Sequence, residues 1–399
     1  MTRVFVLVLD SLGVGALPDA GTFGDTGCHT LDHIVKAAGR PDIPRLEALG
    51  VGCIEGVSGI PAQPAPAGWF GRMAEQSPGK DTLTGHWEMM GCPLDSPFPV
   101  FPDGFPAEII DELVSRAELP GVLCNRPASG TEVIELHGPE HVEGGKPIVY
   151  TSADSVLQIA AHEQHFGLER LYQVSRMARE IVRPHGVARV IARPFVGSPG
   201  GFERTYNRRD YSLEPPRETV LDRLVAAGIP VTGIGKIEDI FAGRGVTHSL
   251  HSEGNRDGMR LLIEASKQGE DGFYFLNLVD FDMLFGHRRD PIGYRRALEE
   301  FDRDLIEFDR TLRPGDLVLL TADHGNDPTH EAGTDHTREY VPVIAYGPGL
   351  ERGVDLGTRS SFADLGATVE EAFGLHPVGG GRPFGIGPIT NPAGQAPIL

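Results

Sequence analysis

The chain has 399 residues, more than one ordinary domain holds, which predicts two domains or one large domain with an insertion. Hydrophobic residues make up 40% of it, enough for sizeable cores, and no apolar run approaches the roughly 20 residues of a membrane span. The formal net charge of -20 argues against non-specific binding to nucleic acid, although metals and arginines can still attract a small anion locally.

Cysteine usage and the first apolar run indicate the compartment. The four cysteines are scattered without a CxxC pair, so we expect buried free thiols in a reducing cytosol and neither a disulfide framework nor a zinc ribbon. The first apolar run, Val4–Leu9, is too short for the core of a signal peptide and is typical of a strand. The sequence therefore predicts a cytoplasmic protein.

The amino-terminal part begins with a strand and contains one unusual polar segment. Val4–Leu9 is apolar throughout, as expected of a strand covered on both faces, and Asp10 follows it directly. Residues 29–51 predict helices broken at Gly39 and Pro41, and residues 57–79 predict a loop. The next segment, GKDTLTGHWEMMG, predicts a helix start at which a hydroxyl can face a phosphate. Simple capping by one of its threonines is the alternative.

The pattern of predicted helices and strands in residues 100–215 differs from that on either side, and we expect these residues to form an inserted α+β cap domain. The core would then consist of residues 1–99 and 216–399. The elements predicted in the insertion are a helix at Phe105–Leu119, short β-like runs in Val133–Ser152, helices at Asp154–His162 and Leu168–Val182, a strand at Val187–Phe195 and a basic loop at Glu203–Asp210.

Alternating strands and helices resume after the insertion, which favours a mostly parallel sheet flanked by helices. The predicted helices are Val220–Ala227, Arg256–Gln268, Pro291–Leu312 and one near Phe362–Phe373. The predicted strands are Pro230–Ile234, Phe273–Val279, Leu317–Leu320 and Tyr340–Tyr346.

Acidic residues follow three of the predicted strands, and histidines lie shortly beyond two of them. Because ligands gather at the carboxyl ends of parallel strands, these side chains predict a metal site. Mixed carboxylate and imidazole ligands suit Mn²⁺, Zn²⁺ or Fe²⁺, and six exceed the needs of one ion, so two ions suited to phosphoryl displacement are implied. Ordinary turn-forming aspartates and hydrogen-bonded histidines are the alternative. The six are Asp10, Asp282, His287, Asp323, His324 and His336, and Asp280, which follows the same strand as Asp282, is the alternative that supports a ligand without binding the metal.

Several longer segments resemble the signature segments of the phosphopentomutases, a family of the alkaline phosphatase superfamily. They are VLDSLGVG, GKDTLTGHWEMMG, NLVDFDMLFGHRRD, TADHGNDPT and GTDHTREYVP, and the similarity extends over the whole chain. The resemblance implies an α/β alkaline-phosphatase-like core and an isomerase of nucleoside catabolism. Such an enzyme interconverts ribose 1-phosphate and ribose 5-phosphate, and their deoxy equivalents. It implies a phosphothreonine enzyme, a sugar bisphosphate primer and two divalent cations, with Mn²⁺ preferred.

The same resemblance assigns roles to individual residues. Thr82 matches the phosphorylated nucleophile, with Thr84 and Ser11 as rival hydroxyls. One metal site matches Asp10, Asp323 and His324, which Thr82 also reaches, and the other matches Asp282, His287 and His336. Positions associated with the sugar phosphate are Ser152, Asp154, Arg193, Arg208 and Lys236.

Two other classes of function compete with this interpretation. Another enzyme of the same superfamily, such as a phosphatase or a cofactor-independent phosphoglycerate mutase, would use the same two metals with a different nucleophile or insertion. A non-catalytic metal-binding or regulatory protein would fold without turnover under any metal. The expected partners are small pentose phosphates, not nucleic acid or membrane, and the oligomeric state stays open.

Overall fold

The computed structural model describes residues 2–152 and 154–389. Its strands are β1 Arg3–Leu9, β2 Trp69–Met73, β3 Leu123–Pro127, β4 Ile148–Thr151, β5 Val156–His162, β6 Arg189–Val196, β7 Glu203–Arg204, β8 Arg209–Ser212, β9 Val231–Ile234, β10 His248–Leu250, β11 Gly272–Leu278, β12 Asp316–Thr321, β13 Val341–Tyr346 and β14 Asp355–Arg359.

The α-helices are α1 Thr30–Ala38, α2 Pro44–Leu49, α3 Thr82–Met89, α4 Ala107–Arg116, α5 Gly130–Gly144, α6 Leu168–Val182, α7 Val220–Ala226, α8 Ile237–Ile240, α9 Asn255–Gln268, α10 Pro291–Asp309 and α11 Ala363–Ala372. Short 3-10 helices span Ala20–Phe23 and Val51–Cys53, and π-helical turns span Glu163–Gly167 and Phe281–Gly286. Within the described residues, no helix combines the length and apolar character needed to cross a membrane.

The described residues form two compact units. One lies within Met1–Ser96 and Pro215–Leu399, and the other lies within Pro97–Glu214. The insertion predicted for residues 100–215 corresponds closely to the second unit, and its role as a cap stays a prediction.

The first unit is built on an eight-stranded sheet in the order β10-β9-β11-β1-β12-β13-β2-β14. Only β13 runs antiparallel to its neighbours among these strands, so the predicted mostly parallel sheet is confirmed. The central strand β1 is buried along its whole length, which explains its unbroken apolar sequence. Its neighbours are β11 and β12, with Leu9 opposite Leu278 and Val8 opposite Thr321. All three strands therefore end at one edge of the sheet.

Helix α10, predicted over Pro291–Leu312, carries an apolar stripe. Asp290 caps its amino terminus by accepting a 2.8 Å hydrogen bond from the backbone N–H of Gly293. The stripe packs into the core through the buried side chains of Tyr294, Leu298, Phe301, Leu305 and Phe308. The helix ends at Asp309, three residues before the predicted end.

The second unit has a six-stranded mixed sheet in the order β3-β4-β5-β6-β7, with β8 also paired to β6. Helices α4 and α6 contribute to a hydrophobic cluster that includes Val149 of β4 and Leu157 of β5. Helix α5 contributes to a second cluster that includes Ile148 and Tyr150 of β4. Since neighbouring residues of a strand face opposite sides, the two clusters lie on opposite faces. This is the α+β composition that was predicted.

Four element predictions were wrong in whole or in part. The helix predicted at Asp154–His162 is strand β5, whose residues are all buried. Because helices cover both faces of β5, its sequence lacks the alternation that marks a half-exposed strand. The β-like runs predicted in Val133–Ser152 are correct for strand β4 and wrong for the residues of helix α5, whose pattern Pro139 obscured. The loops predicted at residues 57–79 and at Glu203–Asp210 contain β2 and parts of β7 and β8.

The four cysteines are all free thiols. Cys28 and Cys92 are buried, as predicted, whereas Cys53 and Cys124 are partly exposed.

Candidate metal centre

The carboxyl ends of β1, β11 and β12 bring the predicted ligands of the first unit together. Asp10 directly follows β1, Asp282 lies in the π-helical turn after β11, and Asp323 and His324 follow β12. The parallel pairing of these strands makes their ends neighbours, although they are distant in the chain.

Asp10, Asp323 and His324 form one cluster, in which all three residues are buried and their ligand atoms lie within 4.8 Å of one another. His324 Nε2 is 3.5 Å from Asp10 Oδ1 and 3.3 Å from Asp323 Oδ2. Among the described residues, Asp10 Oδ1 has no hydrogen-bond partner, and Asp323 Oδ2 is approached only by imidazole nitrogens, with His86 Nδ1 at 3.2 Å. Buried carboxylate oxygens ordinarily accept hydrogen bonds, so oxygens that accept none of good geometry fit the binding of a cation.

Asp282, His287 and His336 form a second cluster of the same kind. His287 Nε2 lies 3.0 Å and His336 Nε2 lies 3.7 Å from Asp282 Oδ2. Nδ1 of His287 is 2.6 Å from the carbonyl oxygen of Thr334, which places the proton on Nδ1 and leaves Nε2 able to bind a metal. The rings of His324 and His336 are 4.0 Å apart between centroids, so the two clusters adjoin.

The electrostatics of the clusters also favour cations. Burial raises the pKa of Asp10, and the neighbouring carboxylates of Asp323 and Asp282 raise it further. Burial acts in the same direction on Asp282, but His336 and His287 outweigh it and hold the pKa of that carboxyl well below its usual value. Buried carboxylates of like charge are costly unless a positive group compensates them.

The structure also shows residues that orient the metal ligands and that the sequence did not indicate. Nδ2 of Asn277 donates a 2.9 Å hydrogen bond to Asp10 Oδ2, and Nδ2 of Asn326 donates a 2.7 Å bond to Asp282 Oδ1. The backbone N–H of Ser11 donates to Asp323 Oδ1 at 3.1 Å. Asn277 lies within the buried strand β11, and a polar residue in such a strand was the signal that could have revealed it.

Asp280 belongs to neither cluster. Its Oδ2 accepts a 2.7 Å hydrogen bond from the backbone N–H of Asn255 at the start of α9. Asp280 therefore stabilises the start of a helix, as an ordinary turn or cap aspartate does.

Thr82 is the first residue of α3, and its hydroxyl lies 3.4 Å from Nε2 of His324. The two rival hydroxyls have other partners. Thr84 donates to the Asp81 carboxylate, which also caps α3, and the Ser11 oxygen is 3.3 Å from the Tyr294 hydroxyl. Thr82 is therefore the one of the three that reaches this imidazole.

Arg338 holds the segment before Thr82, and sequence reasoning also missed it. Its guanidinium is buried and donates through Nη1 to the carbonyl oxygens of Ser77 at 2.8 Å and Gly79 at 2.6 Å. The same Nη1 donates to Glu75 Oε2 at 2.7 Å. The hydrogen bonds of Arg338 thus link the loop that contains His336 to the segment that leads into Thr82.

The residues predicted to contact the sugar phosphate divide between the two units. Lys236 precedes α8 in the first unit, and its positive charge opposes the rise in the pKa of Asp10. Ser152, Asp154, Arg193 and Arg208 belong to the second unit.

Within the second unit, Ser152 and Arg208 form hydrogen bonds with nearby residues, and the Asp154 carboxylate lies 4.0 Å from Nη2 of Arg189. Ser152 Oγ accepts a 3.3 Å hydrogen bond from the backbone N–H of Asp154, and Arg208 forms two 2.7 Å hydrogen bonds with the carboxylate of Asp210. Burial, together with the positive charge of Arg208, lowers the pKa of Arg193 to about 10. Their part in substrate binding stays a prediction.

Comparisons with known proteins match nearly the whole chain. A family model described as the metalloenzyme superfamily matches residues 2–377. The phosphopentomutase of Symbiobacterium thermophilum is 54% identical over 384 residues, which is 96% of this chain and 97% of the relative. The phosphopentomutase of Anaeromyxobacter sp. (strain K) is 55% identical over 373 residues, which is 94% of this chain and 96% of the relative.

Among solved structures, the phosphoglycerate mutase of Leishmania mexicana matches with a TM-score of 0.48 and 13% identity, covering 96% of this chain and 97% of that one.

Proposed function

The chain belongs to the phosphopentomutases of the metalloenzyme superfamily, and from this premise we propose that it interconverts ribose 1-phosphate and ribose 5-phosphate. The proposal includes the deoxyribose equivalents and a phosphothreonine at Thr82. The cytoplasm, predicted from the sequence, is the proposed location. The enzyme is an isomerase that moves a phosphoryl group between two positions of one sugar.

One observation carries the assignment of the nucleophile. The Thr82 hydroxyl stands 3.4 Å from His324, which belongs to a carboxylate–imidazole cluster, whereas the hydroxyls of Thr84 and Ser11 face other partners. A threonine hydroxyl is a weak nucleophile at neutral pH and needs a neighbouring group or a bound cation to activate it. Thr82 is the threonine that lies beside the cluster that could hold such a cation.

The proposed reaction is two phosphoryl transfers in opposite directions. In the first, the bond between Thr82 Oγ1 and phosphorus breaks, and a bond forms between phosphorus and the free hydroxyl oxygen of the sugar monophosphate. The hydroxyl proton ends on Thr82, and the product is a sugar bisphosphate. In the second, the bond between phosphorus and the other ester oxygen of that bisphosphate breaks, and a bond forms between this phosphorus and Thr82 Oγ1. The Thr82 proton ends on the freed sugar oxygen, which leaves the isomeric monophosphate. A bisphosphate primer phosphorylates Thr82 at the start.

The two clusters fit a divalent cation each. Asp10, Asp323 and His324 would hold one, and the second cluster would hold the other; this donor set suits Mn²⁺. When bound, such ions supply positive charge to the oxygens of the transferring phosphoryl group and lower the pKa of a nearby hydroxyl. Asn277 and Asn326 orient the carboxylates for this role through the bonds described above.

A primed isomerisation assay tests the proposal. The enzyme with Mn²⁺ and a catalytic amount of a pentose or hexose bisphosphate should convert ribose 1-phosphate to ribose 5-phosphate without releasing inorganic phosphate. Release of phosphate at the rate of substrate loss, with no isomer formed, would favour a phosphatase of the same superfamily instead.

A further inference from the structure

A third cluster of possible metal ligands lies in the first unit and shares no residue with the two clusters described above. It consists of Asp25, Cys28 and His330, whose ligand atoms all lie within 4.8 Å of one another. No role assigned so far uses any of the three. Within the part of the chain that the structure describes, Cys28 is the one cysteine that belongs to a candidate metal cluster, so this cluster differs chemically from the other two.

A tight turn holds the carboxylate and the thiol together. The backbone N–H of Cys28 donates a 3.1 Å hydrogen bond to the carbonyl oxygen of Asp25, which closes a turn over the sequence DTGC. Gly27, the third residue of this turn, has a φ of 81°, a conformation that glycine adopts without strain. The local sequence therefore fixes a carboxylate and a thiol three positions apart on one side of a loop.

A second turn presents the imidazole. The backbone N–H of His330 donates a 3.1 Å hydrogen bond to the carbonyl oxygen of Asp327, and the Asp327 carboxylate accepts a 2.9 Å bond from the backbone N–H of Thr329. Nε2 of His330 lies 3.8 Å from Asp25 Oδ1, which is too far for a hydrogen bond. The two turns therefore bring three ligand types to one place without bonding them to one another.

The ligand atoms of this cluster have lone pairs available. Cys28 is 2% exposed, and neither its sulfur nor the ring of His330 forms a hydrogen bond within residues 2–152 and 154–389. Asp25 Oδ2 accepts a 2.8 Å bond from the backbone N–H of Arg338 and a 3.0 Å bond from Nζ of Lys80. Asp25 Oδ1, the oxygen nearer His330, accepts only a longer bond of 3.3 Å from Lys80. A sulfur, a nitrogen and a carboxylate oxygen are thus free to bind a common ion.

The charges around Cys28 favour a cation. Burial raises the pKa of the Cys28 thiol, and three carboxylates raise it further, while Lys80 alone opposes them; the carboxylates are those of Glu339, Asp327 and Asp25. A thiol in such surroundings keeps its proton and is a poor nucleophile. A metal ion can take the place of that proton, because a thiol that coordinates a metal is deprotonated.

We propose that Asp25, Cys28 and His330 bind a thiophilic divalent cation of the zinc type. Zn²⁺ accepts thiolate, imidazole and carboxylate ligands, and three protein ligands leave its fourth position for water. Binding releases the thiol proton to solvent. The thiolate separates this site from the other two clusters, whose oxygen and nitrogen ligands suit Mn²⁺. The ion competes with Lys80 for the Asp25 carboxylate.

Titration of the reduced, full-length protein with Co²⁺ tests the site. Bound cobalt gives a thiolate-to-metal charge-transfer band in the ultraviolet, and ions in the other two clusters cannot contribute to it because those clusters contain no cysteine. The wild type should develop a saturable band that Zn²⁺ displaces, and Cys28→Ser should abolish it. Cys92→Ser, which removes another buried thiol of the same unit, is the matched control and should keep the band.

Two further variants should shift the cobalt affinity in opposite directions. His330→Ala should weaken it about tenfold or more, because losing a ligand costs at least as much as losing a group that orients one. Lys80→Met should strengthen it about tenfold or more, because it removes a positive charge 3.0 Å from the Asp25 carboxylate. A cluster with a purely structural role would show neither change. Thermal melting in chelator shows whether each variant is folded.

Three results would overturn the site. They are the absence of the band in the wild type, an equal band in Cys28→Ser, and an unchanged cobalt affinity in His330→Ala. None of these measurements depends on isomerase activity, so the metal site and the proposed function stand or fall separately.

Discussion

The hydroxyl oxygen of Thr82 lies 3.4 Å from Nε2 of His324, although 242 positions separate the two residues in the chain. Helix α3 begins at Thr82, and β12 ends just before His324, so a helix start meets a strand end. The same imidazole adjoins the carboxylates of Asp10 and Asp323. This contact links the proposed nucleophile to the candidate metal centre.

Replacing Thr82 by alanine should abolish isomerisation and the incorporation of phosphate from a bisphosphate primer. The change removes the attacking oxygen and leaves the Asp81 cap of α3 in place, so the fold should be unaffected. Intact-protein mass spectrometry after priming measures phosphate incorporation, and peptide mapping locates it.

Thr82→Ser is the matched control, because it keeps a hydroxyl at the same position and should remain active at a reduced rate. Full isomerase activity in Thr82→Ala would remove Thr82 from the mechanism. Phosphate found on Thr84 or Ser11 would transfer the role to that residue.

The aspartates of the candidate metal centre could be predicted from the sequence because buried parallel strands have continuous apolar sequences, which are easily recognised. Asp10 directly follows such a run, Asp323 follows strand β12 after Ala322, and strands of this kind end at a common edge. The approach of Thr82 was different, since nothing in its local pattern distinguishes a phosphorylated threonine from a capping one. Its role could be expected only from the resemblance to a family.

Other features were hidden for physical reasons. Strand β5 is covered by helices on both faces, so its apolar residues show no period of two and their pattern predicts a helix. Asn277 and Arg338 act through tertiary contacts with residues 267 and 263 positions away, respectively. Such contacts have no signature in the local sequence, and only the folded chain reveals them.

Asn277→Leu should weaken metal binding at the Asp10 cluster by about 10- to 100-fold. The substitution keeps the volume of the side chain but removes the amide that holds Asp10 Oδ2 at 2.9 Å. Titration of the metal-free protein with Mn²⁺, followed by electron paramagnetic resonance, measures the affinity of each site. Gln268→Leu, at an exposed position of α9, is the control. Affinities equal to those of the wild type would show that Asn277 does not orient Asp10.

Arg338→Met should destabilise the protein by about 3–5 kcal/mol near neutral pH, the range for breaking a buried ion pair. Arg338 and Glu75 have side chains that are 3% and 2% exposed, and the change leaves the Glu75 carboxylate buried without its 2.7 Å partner. Urea denaturation measures the loss. Arg116→Met breaks exposed ion pairs and should leave stability unchanged.

The loss caused by Arg338→Met should also depend on pH. Burial raises the pKa of Glu75 well above its usual value, and Arg338 opposes that rise, so the variant should have an even higher pKa. A carboxyl with a raised pKa binds its proton more tightly in the folded state, so its contribution to stability falls as pH increases. The difference between wild type and variant should therefore shrink as the pH is lowered through the folded-state pKa. A difference that does not vary with pH would contradict this account.

Metal binding should reverse the effect of Asp10→Asn on stability. In the metal-free protein, burial and the carboxylates of Asp323 and Asp282 raise the pKa of Asp10, so its charge is unfavourable at neutral pH. The neutral, isosteric asparagine should therefore raise Tm when a chelator is present. With Mn²⁺ at about 100 times Kd, each bound ion stabilises the wild type by about 2.7 kcal/mol, and the variant should lose most of that gain at its cluster. Asp95→Asn, at a side chain that is 95% exposed, should behave like the wild type in both conditions. A variant less stable than the wild type in chelator would mean that the Asp10 charge is compensated by the protein alone.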